Sequence, residues 1–223
     1  MKNMPNLNKA KYIAIIGVIV EMAIFTGCMW QGKSISMEES AKLFERELGE
    51  KYGDNFEVLG IDEGDDGQNF AHRYYNALIS PYYDQDKIFE GKMDDNGRNL
   101  TDNYGKILFG DSVEQVVDDI LESVDGIEIS NMEIEYLLIE KIYDDVSDYI
   151  SDGNVIVRFG ADIEAKSLKK AAQKAYKLVD SLQKNNLCYS IDLGYAGRDT
   201  HLVRYNVTDR IYDLDDIKRR LEE

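Results

Sequence analysis

The amino-acid sequence predicts an α+β fold: antiparallel sheets covered on one face by helices, arranged as two small modules. Three observations predict it. Helical stripes and short alternating runs come in blocks, without the strict alternation that builds a parallel sheet. Tight-turn residues (Gly64-Asp65-Asp66-Gly67, Asp94-Asp95-Asn96-Gly97, Ala196 to Asp199) separate neighbouring strand runs closely enough for hairpins. The 223 residues are 43% hydrophobic, enough to bury the cores of two such modules.

The first module spans 36–126 in the order α-β-β-β-α. Ser36-Met37-Glu38-Glu39 is a capping box. Met37, Ala41, Phe44, Leu48 and Tyr52 follow at helical spacing, and Gly53 closes the helix. Strand-like runs cover Asn55 to Asp62, Gln68 to Ser80 and Lys87 to Met93. Thr101 to Phe109 leans to helix. A second helix has Asp111 as N-cap, with Val113, Val116, Val117, Ile120, Leu121 and Val124 on one stripe, and stops at Asp125-Gly126.

Residues 127–153 read as a mostly helical bridge. Ile127 to Ser130 alternates as a strand would. From Met132 to Ile150, Ile134, Leu138, Ile142, Val146 and Ile150 stand four apart, which favours a helix, although Ile134 to Ile139 also fits a strand. The second module spans 154–223 in the order β-α-β-β-α. It comprises a strand at Asn154 to Phe159, a helix at Ala165 to Lys184 and a strand at Leu187 to Tyr195. Thr200 to Val207 is that strand's hairpin partner, and a terminal helix covers Asp213 to Leu221. The two halves share no readable repeat.

The charge is lopsided, with Asp+Glu 43 against Lys+Arg 26 and a net of −17. Such a surface repels phosphate backbones, so nucleic acid is not an expected partner. Solubility accounts for the acidity without any ligand.

The N-terminus carries the clearest signal. Residues 1–11 hold Lys2, Lys9 and Lys11 and no acid; Tyr12 to Phe25 is largely apolar; Phe25-Thr26-Gly27-Cys28 follows. That is the charged, apolar and small-residue order of a secretory signal. The last four residues resemble the lipobox of bacterial lipoprotein signals. The resemblance implies cleavage between Gly27 and Cys28 and acylation of the Cys28 sulfur, with a lipid such as palmitate in the membrane. Phe25 stands where a Leu-type residue is usual. Glu21 interrupts the apolar run, where a carboxylate costs about 2.5–3.5 kcal/mol on insertion scales. On this reading 1–27 is a signal peptide and 28–35 a tether. The same residues also fit an uncleaved anchor over Tyr12 to Trp30, although its apolar run is short for the roughly 20 residues a span needs and Glu21 breaks it, or a buried helix of a cytosolic protein.

A second resemblance covers about residues 38–125. Glu47 to Val58 (ELGEKYGDNFEV) and Asp102-Asn103-Tyr104 resemble a pattern in uncharacterised small secreted proteins and lipoproteins of Gram-positive bacteria. It implies an extracytoplasmic α+β module with a helix against a bent antiparallel sheet. It brings no activity, cofactor or site residue with it.

The chemistry-bearing residues form no recognisable motif. Asp62 to Gly67 is acidic, but a calcium loop begun at Asp62 would have Gly64 third and Arg73 twelfth, where oxygen ligands belong. The two histidines, His72 and His201, have no second His or Cys at ligand spacing, so no metal or cofactor is expected. Ser190, Asp192 and His201 share one hairpin, but no Gly-x-Ser-x-Gly is present and no triad is expected. With Cys28 acylated, Cys188 has no disulfide partner, and its apolar strand context makes it a buried, inert thiol. Tyrosine is abundant, 15 copies against one Trp; Tyr74, Tyr75, Tyr82 and Tyr83 around Pro81 are the candidate interaction surface.

The expected function is therefore a membrane-anchored, extracytoplasmic lipoprotein acting as a non-enzymatic binding or interaction module for a protein or cell-wall partner. The alternatives are a secreted hydrolase using carboxylates and, further off, the solute-binding component of a transporter.

Overall fold

Residues 34–65, 73–209 and 211–222 are described by the computed structural model, and most of them build or cover two four-stranded sheets. The Lys-rich and apolar N-terminal run, Gly27, Cys28 and His72 lie outside the described residues.

Helix α1 (Met37–Tyr52) begins with the expected reciprocal cap: Ser36 N–H donates to Glu39 Oε2 at 2.9 Å, and Glu39 N–H donates to Ser36 Oγ at 3.2 Å. Gly53 ends it in the left-handed conformation, φ 73°. The helix lies on one face of a meander, β1 (Phe56–Asp65), β2 (Arg73–Pro81), β3 (Phe89–Asp94) and β4 (Thr101–Asp102), paired antiparallel in chain order. Phe44 and Leu48 of α1 pack on Phe56, Ile79, Phe89 and Met93 to form a first core.

The second sheet runs in the order β5 (Ile127–Tyr136), β6 (Val155–Ile163), β7 (Cys188–Tyr195), β8 (Arg198–Arg204). Its outer pairs are antiparallel, but β6 and β7 are parallel, joined by a crossover through α4 (Leu168–Lys184). Ala171, Ala172 and Ala175 let α4 sit close to the sheet while Leu178, Val179 and Leu182 fill the second core. The β7–β8 hairpin turns at Ala196 and Gly197, with φ of 54° and 76°. Positive φ at both central residues is the requirement of a tight primed turn. Helix α5 (Leu214–Glu222) packs on α4 through Ile217 and Leu221.

Two expectations are corrected. Helix α2 spans Gly105–Glu122, with Tyr104 as cap, so it starts well before Asp111, and Thr101–Asp102 is strand. The early start is set by tertiary contacts: Asp102 Oδ1 accepts Tyr104 N–H at 3.0 Å, and Gly105 lies against the Tyr149 ring. The bridge is not mostly helical. β5 runs to Tyr136, and only the short helix α3 (Val146–Ser151) follows. A bulge between Ser130 and Glu133 places one extra residue in β5, so Ile129 and Ile134 both face the core despite their odd spacing. That insertion erased the alternation on which a strand assignment depends. The fold is α+β with mostly antiparallel sheets, as expected; within it β6 and β7 are parallel because a helix-length connection separates them.

The apolar stripe of α2 enters the second core through Val113, Val117 and Ile120, while Ile107 near its start packs on the first. The join is reinforced at Asp102. Its backbone exchanges hydrogen bonds with Ile139, N–H to O at 3.0 and 2.8 Å. Its buried carboxylate accepts from Lys51 Nζ at 2.7 Å and from the Tyr52 hydroxyl at 2.8 Å.

Candidate functional site

The helices cover one face of the second sheet; the other is open along residues 158–162 and 190–194, while Ile156 and Cys188 at its far end are buried. Along β6 the inward residues are Val155, Val157, Phe159, Ala161 and Ile163; the alternate positions Arg158, Gly160 and Asp162 turn outward. Along β7 Tyr189, Ile191 and Leu193 point inward, and Ser190, Asp192 and Gly194 alternate with them. Register then brings unlike chemistry together: Arg158 pairs with Ser190, Gly160 with Asp192, and Asp192 with His201 on β8.

His201 Nδ1 lies 2.7 Å from Asp192 Oδ1. An ionised carboxylate only accepts, so in neutral His201 the proton sits on Nδ1 and Nε2 is the acceptor. Ser190 Oγ is 3.5 Å from that Nε2. Ser190, His201 and Asp192 thus stand in the order hydroxyl, imidazole, carboxylate. They share one hairpin, as the sequence has them, and the Ser190–His201 contact is at the outer edge of hydrogen-bond range. Both His201 and Asp192 are well exposed, at 50% and 75% of their side-chain surface.

Beside them is an open trough of about 610 Å³. Gly160 and Gly194 form its floor. A Cβ at Gly160 would stand 2.6 Å from Ser130 Oγ, and one at Gly194 would run into the Asp162 carboxylate, so the Ser130 and Asp162 side chains fold over these glycines and a side chain at either would displace them. Ser130, Arg158, Asp162, Ser190 and Asp192 are among its lining. Arg158 is held by Glu135 of β5, which accepts from its Nε at 3.0 Å and from its Nη2; this pairing keeps the guanidinium charged. Sequence reasoning missed Arg158, Glu135 and the glycine floor. A glycine inside each of two apolar strand runs was the available signal.

The tyrosine surface divides. Tyr82 and Tyr83 are exposed at 58% and 57%, and the Tyr83 hydroxyl is 3.2 Å from that of Tyr104. Tyr74 is half-buried, with Lys92 Nζ 3.6 Å from its ring centroid. Tyr75 corrects the expectation. It is 3% exposed in the first core, and its hydroxyl donates to the Ile35 carbonyl at 2.6 Å, because adjacent strand residues point to opposite faces. A second open groove, about 600 Å³, runs along α1 past Arg46, Glu50, Asn55 and Tyr82.

Among the described residues, acidic side chains in and beside the acidic turns have protein partners. Glu63 pairs with Arg73 at 3.0 Å, Asp94 accepts from Asn99, and Asp95 accepts from Ser34. Among the described residues no cluster of His, Cys, Asp and Glu is arranged to hold a metal ion, and no helix is long and apolar enough to cross a membrane. Cys188 is fully buried and its thiol is pushed up by that burial.

No family model matches the chain, and no curated protein does. Among solved structures, the chain is similar to the crystal structure of a DUF5037 family protein from Ruminococcus gnavus ATCC 29149. The two are 15% identical with a TM-score of 0.38, over 82% of this chain and 98% of that one.

Proposed function

We propose that the chain is a bacterial lipoprotein, acylated on Cys28 and held at the extracytoplasmic face of the cell membrane, whose α+β domain binds a protein or cell-wall partner. The observation that carries the reading is the Gly27-Cys28 junction after a lysine-bearing and then apolar run. The first helix opens at the Ser36 cap and Ser34 and Ile35 already hydrogen-bond to the domain, so the tether between lipid and domain would be 28–33. Exposed Tyr82 and Tyr83 support a contact surface, since two-χ aromatic side chains give large contact area at low entropic cost. A membrane span is not needed for this address; a lipid supplies about 0.8 kcal/mol per buried CH₂.

The test is fractionation of cells expressing the wild type and Cys28→Ala, with protease added outside intact cells. The wild type is expected in the membrane fraction and open to the protease, and the variant lost from it. Equal partition of the two forms contradicts the anchor. Binding to isolated cell wall or surface proteins should weaken at least tenfold in a Tyr82→Ala/Tyr83→Ala variant; unchanged binding removes these residues from the contact.

A further inference from the structure

We propose that Ser190 is a nucleophile, activated by His201, that accepts acyl groups from ester substrates in the trough beside it. This goes beyond partner binding and does not rest on the lipid anchor. Four features converge. The proton assignment leaves His201 Nε2 as the acceptor facing Ser190 Oγ at 3.5 Å, a distance that tightens when substrate seats. Asp192 fixes that tautomer from the far side at 2.7 Å. Arg158, the register partner of Ser190, supplies a cation on the same face. The open trough of about 610 Å³ beside Ser190 leaves room for a substrate.

The carboxylate on the opposite ring nitrogen adds to the pairing of a Ser with a His across a hairpin the group that orients the imidazole. The adjacent trough has a cation in its lining. In the reaction Ser190 Oγ bonds to the ester carbonyl carbon while its proton passes to His201 Nε2. The tetrahedral oxyanion collapses, the C–O bond to the alcohol breaks, and the alcohol leaves with the proton from Nε2. Water then attacks the acyl-serine, His201 takes its proton, and the carboxylic acid departs as Ser190 regains a hydrogen. The open face admits that water freely. Asp162, Asp192 and Asp199 rim the trough, so neutral or cationic esters are favoured over anionic ones.

The experiment uses the full-length protein in detergent. It is treated with a fluorophosphonate and mapped by peptide mass, and p-nitrophenyl acetate turnover is followed in the wild type, Ser190→Ala, Asp192→Asn and Asp192→Glu. The expected result is a phosphonyl adduct on Ser190 and turnover at least about 100-fold lower in Ser190→Ala. Asp192 is a positioning residue, so Asp192→Asn should lower kcat with KM kept, and Asp192→Glu should recover part of it. Absence of an adduct at Ser190 in the wild type overturns the proposal. Equal turnover in a folded Ser190→Ala does so too. Mapping on the wild type decides even if that variant does not fold.

Discussion

The Lys51 ammonium, its side chain 12% exposed, lies 2.7 Å from the fully buried Asp102 carboxylate where the first sheet meets the strand-to-helix passage into the second. The pair binds the C-terminal end of α1 to the start of α2, with Tyr52 and the Tyr104 amide completing the carboxylate's partners. A buried pair contributes little against an apolar replacement, but removing one member strands the other charge.

Asp102→Ala is therefore expected to destabilise the protein by about 3–5 kcal/mol. Tyr52→Phe, which leaves the ion pair, should cost about 1.5–3 kcal/mol for a hydrogen bond to a charged acceptor. Urea unfolding followed by circular dichroism measures both. A loss under about 1 kcal/mol in Asp102→Ala would show that Lys51 finds water there.

Gly105 faces the Tyr149 ring so closely that a Cβ would stand 2.6 Å from its atoms, and Tyr149 is fully buried. Helix propensity favours Ala over Gly by about 1 kcal/mol, but overpacking costs about 1–3. The two oppose, so Gly105→Ala is expected to lower stability by up to about 2 kcal/mol. A higher urea midpoint in the variant would show that the ring yields.

How legible this architecture was depended on the range of the contacts involved. The α1 cap was readable because Ser36 and Glu39 make it locally, and the α4 stripe because an unbroken helix keeps its period. The β5 strand was not, since its bulge at Ser130–Glu133 shifts the phase of Ile129 against Ile134. The α2 start was hidden because Asp102 and Tyr149, not a local cap, fix it. At the open face, Ser190, Asp192 and His201 were visible as residues on one hairpin. Arg158 joined them only through the parallel β6–β7 register, which nothing local in the sequence encodes.

Burial raises the phenols of Tyr52, Tyr104, Tyr149 and Tyr189 above their ordinary range and pushes Tyr136 up to about 12. In the unfolded chain they titrate near pH 10, roughly the ordinary phenol value. The fold favours the protonated form, so this contribution is complete below about pH 9 and is lost as pH rises through the folded values. Urea midpoints should fall between pH 9 and pH 11. Absorbance at 295 nm should show these phenolates appearing with unfolding; their full appearance in the native protein contradicts the burial described.

Cys188, buried and with its thiol pushed up, should not react with a disulfide reagent in the native Cys28→Ala protein. One thiol should appear on denaturation in guanidinium. Rapid reaction in the native state would place the β7 end nearer to solvent than described.

The most direct test of the anchored reading is intact mass of the protein purified from its host's membranes, beside Cys28→Ala. A wild-type mass equal to residues 28–223 plus a diacylglyceryl group, absent from the variant, is the predicted result. A wild-type mass starting at Met1, identical in form to the variant's, would contradict it.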